Sequence, residues 1–165
     1  MSKESEYKTI IYATDLGTHT RPVFRHAINL ARKCGAKIIM THAVKPLGAT
    51  SRAVISTYLP DLDIGDMEHH GMEDVIENMR ARLEQFYKDE GDHDKTDFSL
   101  VSDIHVAAGI PPEVILETAG KFKADLIIMG SCTRSLFGSH SLGSTARRVT
   151  QHSTIPVLVV PNAEG

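Results

Sequence analysis

Residues 124–148 read ADLIIMGSCTRSLFGSHSLGSTARR, and this stretch decides the fold. It opens at 124–130 with a short apolar run, which is typical of a strand covered on both faces of a parallel sheet. A segment rich in glycine and serine follows, and a helical pattern then runs from Ser144 to His152. A strand, a glycine-rich loop and a helix in this order predict one unit of an α/β sheet.

The same alternation extends over the rest of the chain. Apolar runs predict four further strands, at 9–16, 36–44, 98–106 and 155–160. Apolar residues at helical spacing predict a helix from about Thr20 to Cys34 and another around Met72 to Tyr87, and Pro111 and Pro112 open a third. We therefore expect an α/β fold: an open five-stranded parallel sheet flanked by helices, Rossmann-like or flavodoxin-like, with three layers and strand order 3-2-1-4-5.

Two segments depart from the regular pattern. Residues 45–65 show no clear period and contain two prolines and two glycines, so we expect a long loop, which in compact domains is often functional or mobile. The run at 98–106 mostly alternates polar and apolar residues, which predicts a half-exposed strand at a sheet edge.

Composition excludes several classes of protein. The 165 residues suit one domain, 1–165, and the hydrophobic fraction of 41% is too high for a disordered chain. A net charge of −3 is too balanced for a protein that grips nucleic acid through many phosphates. Two cysteines argue against a disulfide framework. The first eight residues are hydrophilic and no apolar run is long enough to span a membrane, so we expect a soluble, cytoplasmic protein with no membrane partner.

Three predicted strand ends carry candidate ligand-binding residues, because ligands of open α/β sheets bind beyond the carboxyl ends of the strands. These ends are 13–15 (Ala-Thr-Asp), 42–44 (His-Ala-Val) and 129–131 (Met-Gly-Ser). The third end leads into the glycine-rich segment, whose backbone N–H groups can wrap an anion. The helix from Ser144 adds unpaired N–H groups and a favourable dipole. This pattern predicts a phosphate cradle, and a flexible structural turn is the alternative.

An ordinary P-loop does not explain the segment. Residues 138–145, GSHSLGST, place Ser144 where a P-loop has its lysine, and the loop already begins at Gly130. Individual residues also have simpler interpretations. Asp15 could merely cap the turn or helix that follows it, and Arg134 could be a solvated loop residue. Cys132 is either a redox-sensitive thiol or an ordinary loop residue.

At this point the sequence resembles the universal stress protein family over essentially its whole length. The resemblance rests on ATDL near the start, Val-Ala-Ala-Gly-Ile-Pro at 106–111, ADLIIMGS at 124–131 and IPVLVVP at 155–161. ATP-binding members of the family carry Gly-x2-Gly-x9-Gly-[Ser/Thr]. In this chain the motif reads Gly130, Thr133 in place of the second glycine, and Gly143-Ser144 with the spacing intact.

The resemblance implies roles for individual residues. Ala13, Thr14 and Asp15 would lie by the adenine and ribose, and Ala43 would contact the base. On the ribose side the lining residues would be Met129 and Gly130. The phosphates would be held by Thr133, Gly143, Ser144 and Thr145. We add Arg134, because a guanidinium suits phosphate geometry. The implied cofactor is ATP with Mg²⁺ or Mn²⁺ held mainly by the phosphates, and the protein itself supplies no metal site.

The last strand carries a separate prediction. Residues Val157–Val160 are apolar on both faces, uncharged, and placed at an edge by the expected strand order. An exposed apolar edge invites pairing, so we expect a symmetric homodimer through this strand, as the family resemblance also implies.

Two functions remain open. The first is an ATP-binding or, more broadly, adenine-nucleotide-binding stress-response protein that acts as a regulatory dimer with an unidentified protein partner. The second is a dimeric interaction protein of the same fold that no longer binds ATP, which Thr133 favours. The sequence offers no convincing general base or nucleophile, so we predict no enzyme beyond slow ATP hydrolysis.

Overall fold

The described part of the chain forms five strands and five helices, which alternate except where two helices follow each other between the second and third strands. A computed structural model describes residues 6–17, 19–90, 99–131 and 142–162. In chain order the elements are β1 (Thr9–Ala13), α1 (Arg21–Cys34), β2 (Lys37–Val44), α2 (Ala49–Tyr58), α3 (Ile64–Glu90), β3 (Val101–Ala108), α4 (Pro111–Lys121), β4 (Leu126–Gly130), α5 (Ser144–His152) and β5 (Val157–Val160). All strand pairs are parallel and the order is β3-β2-β1-β4-β5, so the predicted fold class and strand order are confirmed.

The core consists of one apolar layer on each face of the sheet. On one face, Val23 and Ala27 of α1 and Met79 of α3 pack with buried strand residues such as Ile10. On the other face, helices α4 and α5 pack against a second set that includes Ile11. Successive strand residues point to opposite faces, so an unbroken apolar run is what a strand needs when both faces are covered.

Helix α1 shows how local sequence sets the boundaries. Pro22 stands in its first turn, and its last residue is followed by Gly35 with φ of 65°. This left-handed conformation suits glycine, and it lets the Ala36 N–H donate to the Ala31 carbonyl at 2.9 Å. The predicted helix from about Thr20 to Cys34 is therefore confirmed.

The expectation of a loop at 45–65 is wrong. The segment contains all of α2 and the start of α3. Helix α2 has no buried residue, so it never needed the apolar periodicity that marks a helix in a sequence. It is instead held to α3 by Arg52, whose Nη2 lies 2.5 Å from Oε2 of Glu68.

The third strand lies two to three residues later than predicted. It spans Val101–Ala108 instead of 98–106, and its register against β2 shifts between Ile38 and Ile39. Its position at a sheet edge and its part-exposed side chains are confirmed. At other strand ends the predicted runs were too long: β1 ends at Ala13, and β5 begins at Val157.

Within the described ranges, no helix has both the length and the apolar character needed to cross a membrane.

Gly109, between β3 and α4, provides a test of the backbone described at this connection. Its φ is 155°, and a Cβ there would lie 2.9 Å from Cγ2 of Val114. We expect Gly109→Ala to lower the free energy of unfolding by about 1–3 kcal/mol, because the change adds both backbone strain and a clash. Urea unfolding followed by circular dichroism measures the difference.

The matched control is Gly71→Ala, in the exposed middle of α3, where a new Cβ meets nothing within 4 Å. It should raise the free energy of unfolding by about 0.5–1 kcal/mol, because alanine favours a helix interior over glycine. Changes of the same sign in both variants would contradict the described backbone at Gly109.

Candidate functional site

The carboxyl ends of β1, β2 and β4 meet at one edge of the sheet. Ala13 pairs with Thr41 on one side and with Met129 on the other. After β1 the chain continues to β2, which pairs with one edge of β1. Strand β4 pairs with the other edge, so the direction of the strand order reverses at β1. Such a reversal opens a crevice between the connections and is the usual ligand position in this architecture.

A cavity of about 420 Å³ occupies this crevice. Its volume lies within the usual range for small-molecule sites. The described residues that line it include nine of the eleven that the sequence singled out: Ala13, Thr14, Asp15, Ala43, Met129, Gly130, Gly143, Ser144 and Thr145. The other two, Thr133 and Arg134, lie outside the described residues, as does Cys132.

The turn after β1 presents Asp15 at the cavity. Its Oδ1 accepts a hydrogen bond from the Gly17 N–H at 2.9 Å, and Oγ1 of Thr14 accepts one from the Leu16 N–H at 3.1 Å. Leu16 itself has φ of 61°, in the left-handed region that a leucine rarely adopts. Asp15 therefore does stabilise its own turn, and its exposed carboxylate also forms part of the cavity wall.

His42 forms the adjoining wall. Its Nδ1 lies 2.8 Å from the carbonyl oxygen of Thr14. A carbonyl only accepts, so Nδ1 carries a proton and donates the hydrogen bond. The side chain thus has a hydrogen-bond partner at the strand end, and it also lines the cavity.

Tyr12 lies below the turn and was not expected at the site. Only 2% of it is exposed, its ring packs at a tilt on Phe24 with centroids 5.0 Å apart, and its hydroxyl donates to the Thr20 carbonyl at 3.4 Å. Burial raises the pKa of this hydroxyl to about 12. Tyr12 lines the cavity, but no sequence signal marked it because it lies inside an apolar strand run.

Asn162 is a second residue that sequence reasoning missed. It lines the cavity just beyond β5, and its Oδ1 accepts a hydrogen bond from the Ser131 hydroxyl at 3.2 Å. A Cβ on Gly130 would lie 2.8 Å from Nδ2 of Asn162, so the amide occupies the space that a larger residue at 130 would need. A polar residue directly after the last apolar run was the signal that could have identified it.

The two ends of the glycine-rich segment are joined by the backbone. The Gly143 N–H donates to the Ser131 carbonyl at 2.8 Å, and the Ser131 N–H donates to the Val160 carbonyl at 2.9 Å. Gly143 is also the N-cap of α5, and it has no side chain that could accept from the N–H groups of the first turn. These N–H groups and the helix dipole form a site that favours an anion.

None of the described residues that line the cavity is a lysine or an arginine. Among the described residues that line it, Asp15 is the only one with a permanent charge at neutral pH. An anionic group at α5 would therefore be met by backbone N–H groups and by the hydroxyls of Ser144 and Thr145. The arrangement suits the binding of an extended ligand with one neutral end and one anionic end.

Comparison with known proteins agrees on one family. The model of the universal stress protein family matches residues 6–161. Universal stress protein G of Salmonella typhimurium is 30% identical over 156 residues, which are 93% of this chain and 99% of the relative.

Two solved structures show the same fold. The universal stress protein UspA from Lactobacillus plantarum superposes with a TM-score of 0.66 at 23% identity, covering 94% of this chain and 98% of the other. A universal stress protein solved in complex with cAMP superposes with a TM-score of 0.60 at 20% identity, covering 96% and 99%.

The buried hydroxyl of Tyr12 predicts a loss of stability at alkaline pH. Its pKa is about 12 in the folded protein against 10.0 ordinarily, so its contribution is fully present below about pH 10 and is lost as the pH rises towards 12. We expect the free energy of unfolding to fall over this range by about 2–3 kcal/mol more in the unmodified protein than in Tyr12→Phe.

Urea unfolding of both proteins at a series of pH values measures this difference. All other residues are the same in both proteins, so their contributions cancel in the comparison. Parallel pH profiles for the two proteins would contradict the burial of the Tyr12 hydroxyl.

Proposed function

The chain belongs to the universal stress protein family, and we propose that it binds an adenine nucleotide, with ATP as the expected ligand, in the cavity at the carboxyl ends of β1, β2 and β4. One observation carries the proposal. The nine described residues to which the family resemblance gives a nucleotide role all line this single cavity. They come from four separate parts of the sequence, so their meeting around one space supports a shared ligand.

The β1 and β2 end of the cavity would take the base and the ribose. Ala43 follows His42 near the carboxyl end of β2, and its backbone groups would face an edge of the base. Asp15 carries the charged acceptor that suits ribose hydroxyls, and carboxylate acceptors give the stronger class of hydrogen bond. The apolar side chains of Val23 and Ile115 supply walls against which a flat ring can pack.

The α5 end would take the phosphates. Gly143, Ser144 and Thr145 line the cavity there and provide backbone N–H groups and hydroxyls. These donors fit phosphate oxygens, whereas no cluster of three potential metal ligands occurs in the described part of the chain. Mg²⁺ or Mn²⁺ would thus be held mainly by the phosphates and would offset their charge. Contacts from Thr133 and Arg134 to the phosphates stay predictions.

We propose a binding role in stress response or regulation, with at most slow hydrolysis of ATP. Asp15 and His42, which line the cavity, are engaged with the β1 turn through Gly17 and Thr14. The proposed output is recognition of the nucleotide-bound state by a regulatory protein partner. The family match across residues 6–161 supports one domain for the whole chain.

We further propose that β5 pairs with its counterpart in a homodimer. The strand lies at the edge of the sheet, consists of Val157–Val160, and exposes 39% of Leu158. Neither charge nor a proline within these four residues protects the edge from pairing. In a dimer with a twofold axis, the unpaired backbone groups of the two β5 strands would form hydrogen bonds with each other.

The second candidate function is a dimer of this fold that does not bind ATP. Thr133 favours it, because a side chain stands where ATP-binding members have bare backbone. Calorimetric titration with ATP and Mg²⁺, together with identification of any nucleotide released when the purified protein is denatured, separates the two functions.

Gly143→Val is the sharpest variant for the proposed site. We expect it to abolish ATP binding in calorimetry, because the new side chain blocks backbone approach to the phosphates. Its φ of −60° and ψ of 155° are open to valine, so the fold should persist. ATP at 100 times its Kd should stabilise the unmodified protein by about 2.7 kcal/mol and the variant not at all.

Gly48→Val is the matched control. Gly48 is the N-cap of α2, with nearly the same backbone angles (φ −65°, ψ 157°), and a Cβ there meets nothing within 4 Å. This variant should bind ATP normally. Normal binding by Gly143→Val would show that the phosphate end is misplaced, and no binding by the unmodified protein would favour the second function.

Leu158→Arg tests the dimer. A charge on the proposed paired edge should convert a dimer into a monomer in analytical ultracentrifugation at tens of micromolar. Leu59→Arg, at another exposed apolar residue, should leave the dimer intact. A monomeric unmodified protein at these concentrations would refute the proposed interface.

A further inference from the structure

Arg82 connects the long helix α3 to the turn after β1. Its Nη1 donates to the carbonyl oxygen of Leu16 and lies 3.4 Å from that of Gly17. These contacts bridge more than 60 residues of sequence. Arg82 is not among the described residues that line the cavity. Its hydrogen bonds reach the cavity through the turn.

One peptide group lies between Arg82 and Asp15. The Leu16 carbonyl accepts from Arg82, and the Gly17 N–H of the same peptide donates to Oδ1 of Asp15 at 2.9 Å. A peptide group is planar and rigid, so fixing its oxygen also fixes the direction of its N–H. Arg82 therefore constrains the hydrogen bond that orients the Asp15 carboxylate.

The turn needs such a constraint. Leu16 has φ of 61°, a conformation that a leucine keeps only when its surroundings impose it. The Thr20 hydroxyl also donates to the Gly17 carbonyl, at 3.2 Å, so the turn is held from α1 as well as from α3.

Helix α3 is itself firmly placed, so Arg82 acts from a fixed support. Met79, three residues earlier on a neighbouring face, is fully buried in the core. Further along α3, Oδ2 of Asp89 lies 2.5 Å from Nη2 of Arg21 on α1, and Nε2 of Gln85 donates to Oδ1 of Asp89 at 2.7 Å.

We propose that Arg82 is a positioning residue for sugar recognition: it holds the peptide between Leu16 and Gly17, and through this peptide it aims the Asp15 carboxylate at the ribose hydroxyls of the bound nucleotide. The inference rests on the nucleotide binding proposed above. It adds that the preferred ligands are ribonucleotides and that this preference depends on a residue outside the cavity.

The test compares ATP with 2′,3′-dideoxy-ATP, both with Mg²⁺, by calorimetry on the full chain. We expect the unmodified protein to bind ATP about tenfold or more tightly than the dideoxy analogue, as charge-assisted hydrogen bonds to the sugar require. Asp15→Asn should reduce this ratio at least several-fold. Arg82→Met should reduce it similarly while leaving the affinity for the dideoxy analogue within about twofold.

Further variants separate positioning from general stability. Arg82→Lys should retain part of the ratio, since one ammonium group can still donate to the Leu16 carbonyl. Asp15→Asn combined with Arg82→Met should lower the ratio no further than Asp15→Asn alone, because both act on one interaction. Arg80→Met, an exposed arginine on the same helix, removes the same charge and should leave the ratio unchanged.

The outcomes distinguish the two proposals. An unchanged ratio in Arg82→Met, or an equal loss of affinity for both nucleotides, would overturn the positioning role while ATP binding stands. Equal affinity of the unmodified protein for both nucleotides would also overturn it. Failure of the unmodified protein to bind either nucleotide would overturn the proposed function itself. If Arg82→Met does not fold, Arg82→Gln provides the same comparison with a milder change.

Discussion

The pairing of β1 with β4 is the interaction on which the candidate site depends. It places Ala13 beside Met129, while the other edge of β1 pairs with β2. Helices α1 and α3 then cover one face of the sheet, and α4 and α5 cover the other. The connections that follow β1 and β4 diverge at this point, and the cavity lies between them. A different partner for β1 would separate the strand ends at 13–15 and 129–131 and leave no common space for a ligand.

The site has a consistent electrostatic design. The end that would bind an anion relies on the N-terminus of α5 and on hydroxyls. The proposed sugar end relies on one carboxylate, Asp15. With the proposed nucleotide in this site, a chain with a net charge of −3 would need no basic surface to hold it. Close backbone approach is part of the same design, because the space beside Gly130 is already taken by the amide of Asn162.

The sequence predicted those parts of the molecule that repeat along the chain or lie at strand ends. The α1 boundaries followed from apolar periodicity and glycine placement, and the alternation of strands and helices predicted the parallel sheet, whose expected order and whose last helix the structure confirms. Helix α2 was missed because it buries nothing, and β3 was displaced because its edge position weakens the apolar signal. The cavity-lining strand ends were predictable because parallel strands end on one side. The roles of Tyr12, Asn162 and Arg82 were not, because each depends on contacts between distant segments, such as the one from Arg82 to Leu16.

The most direct test of the central claim is a map of backbone amide chemical shifts, recorded by NMR as ATP and Mg²⁺ are added. We expect the largest changes at the amides of residues 13–15, 43, 130–131 and 143–145, with little change along α2 or the exposed edge of β3. Saturating ATP that leaves those amides unchanged, or shifts confined to α2 or β3, would contradict the placement of the nucleotide in this cavity.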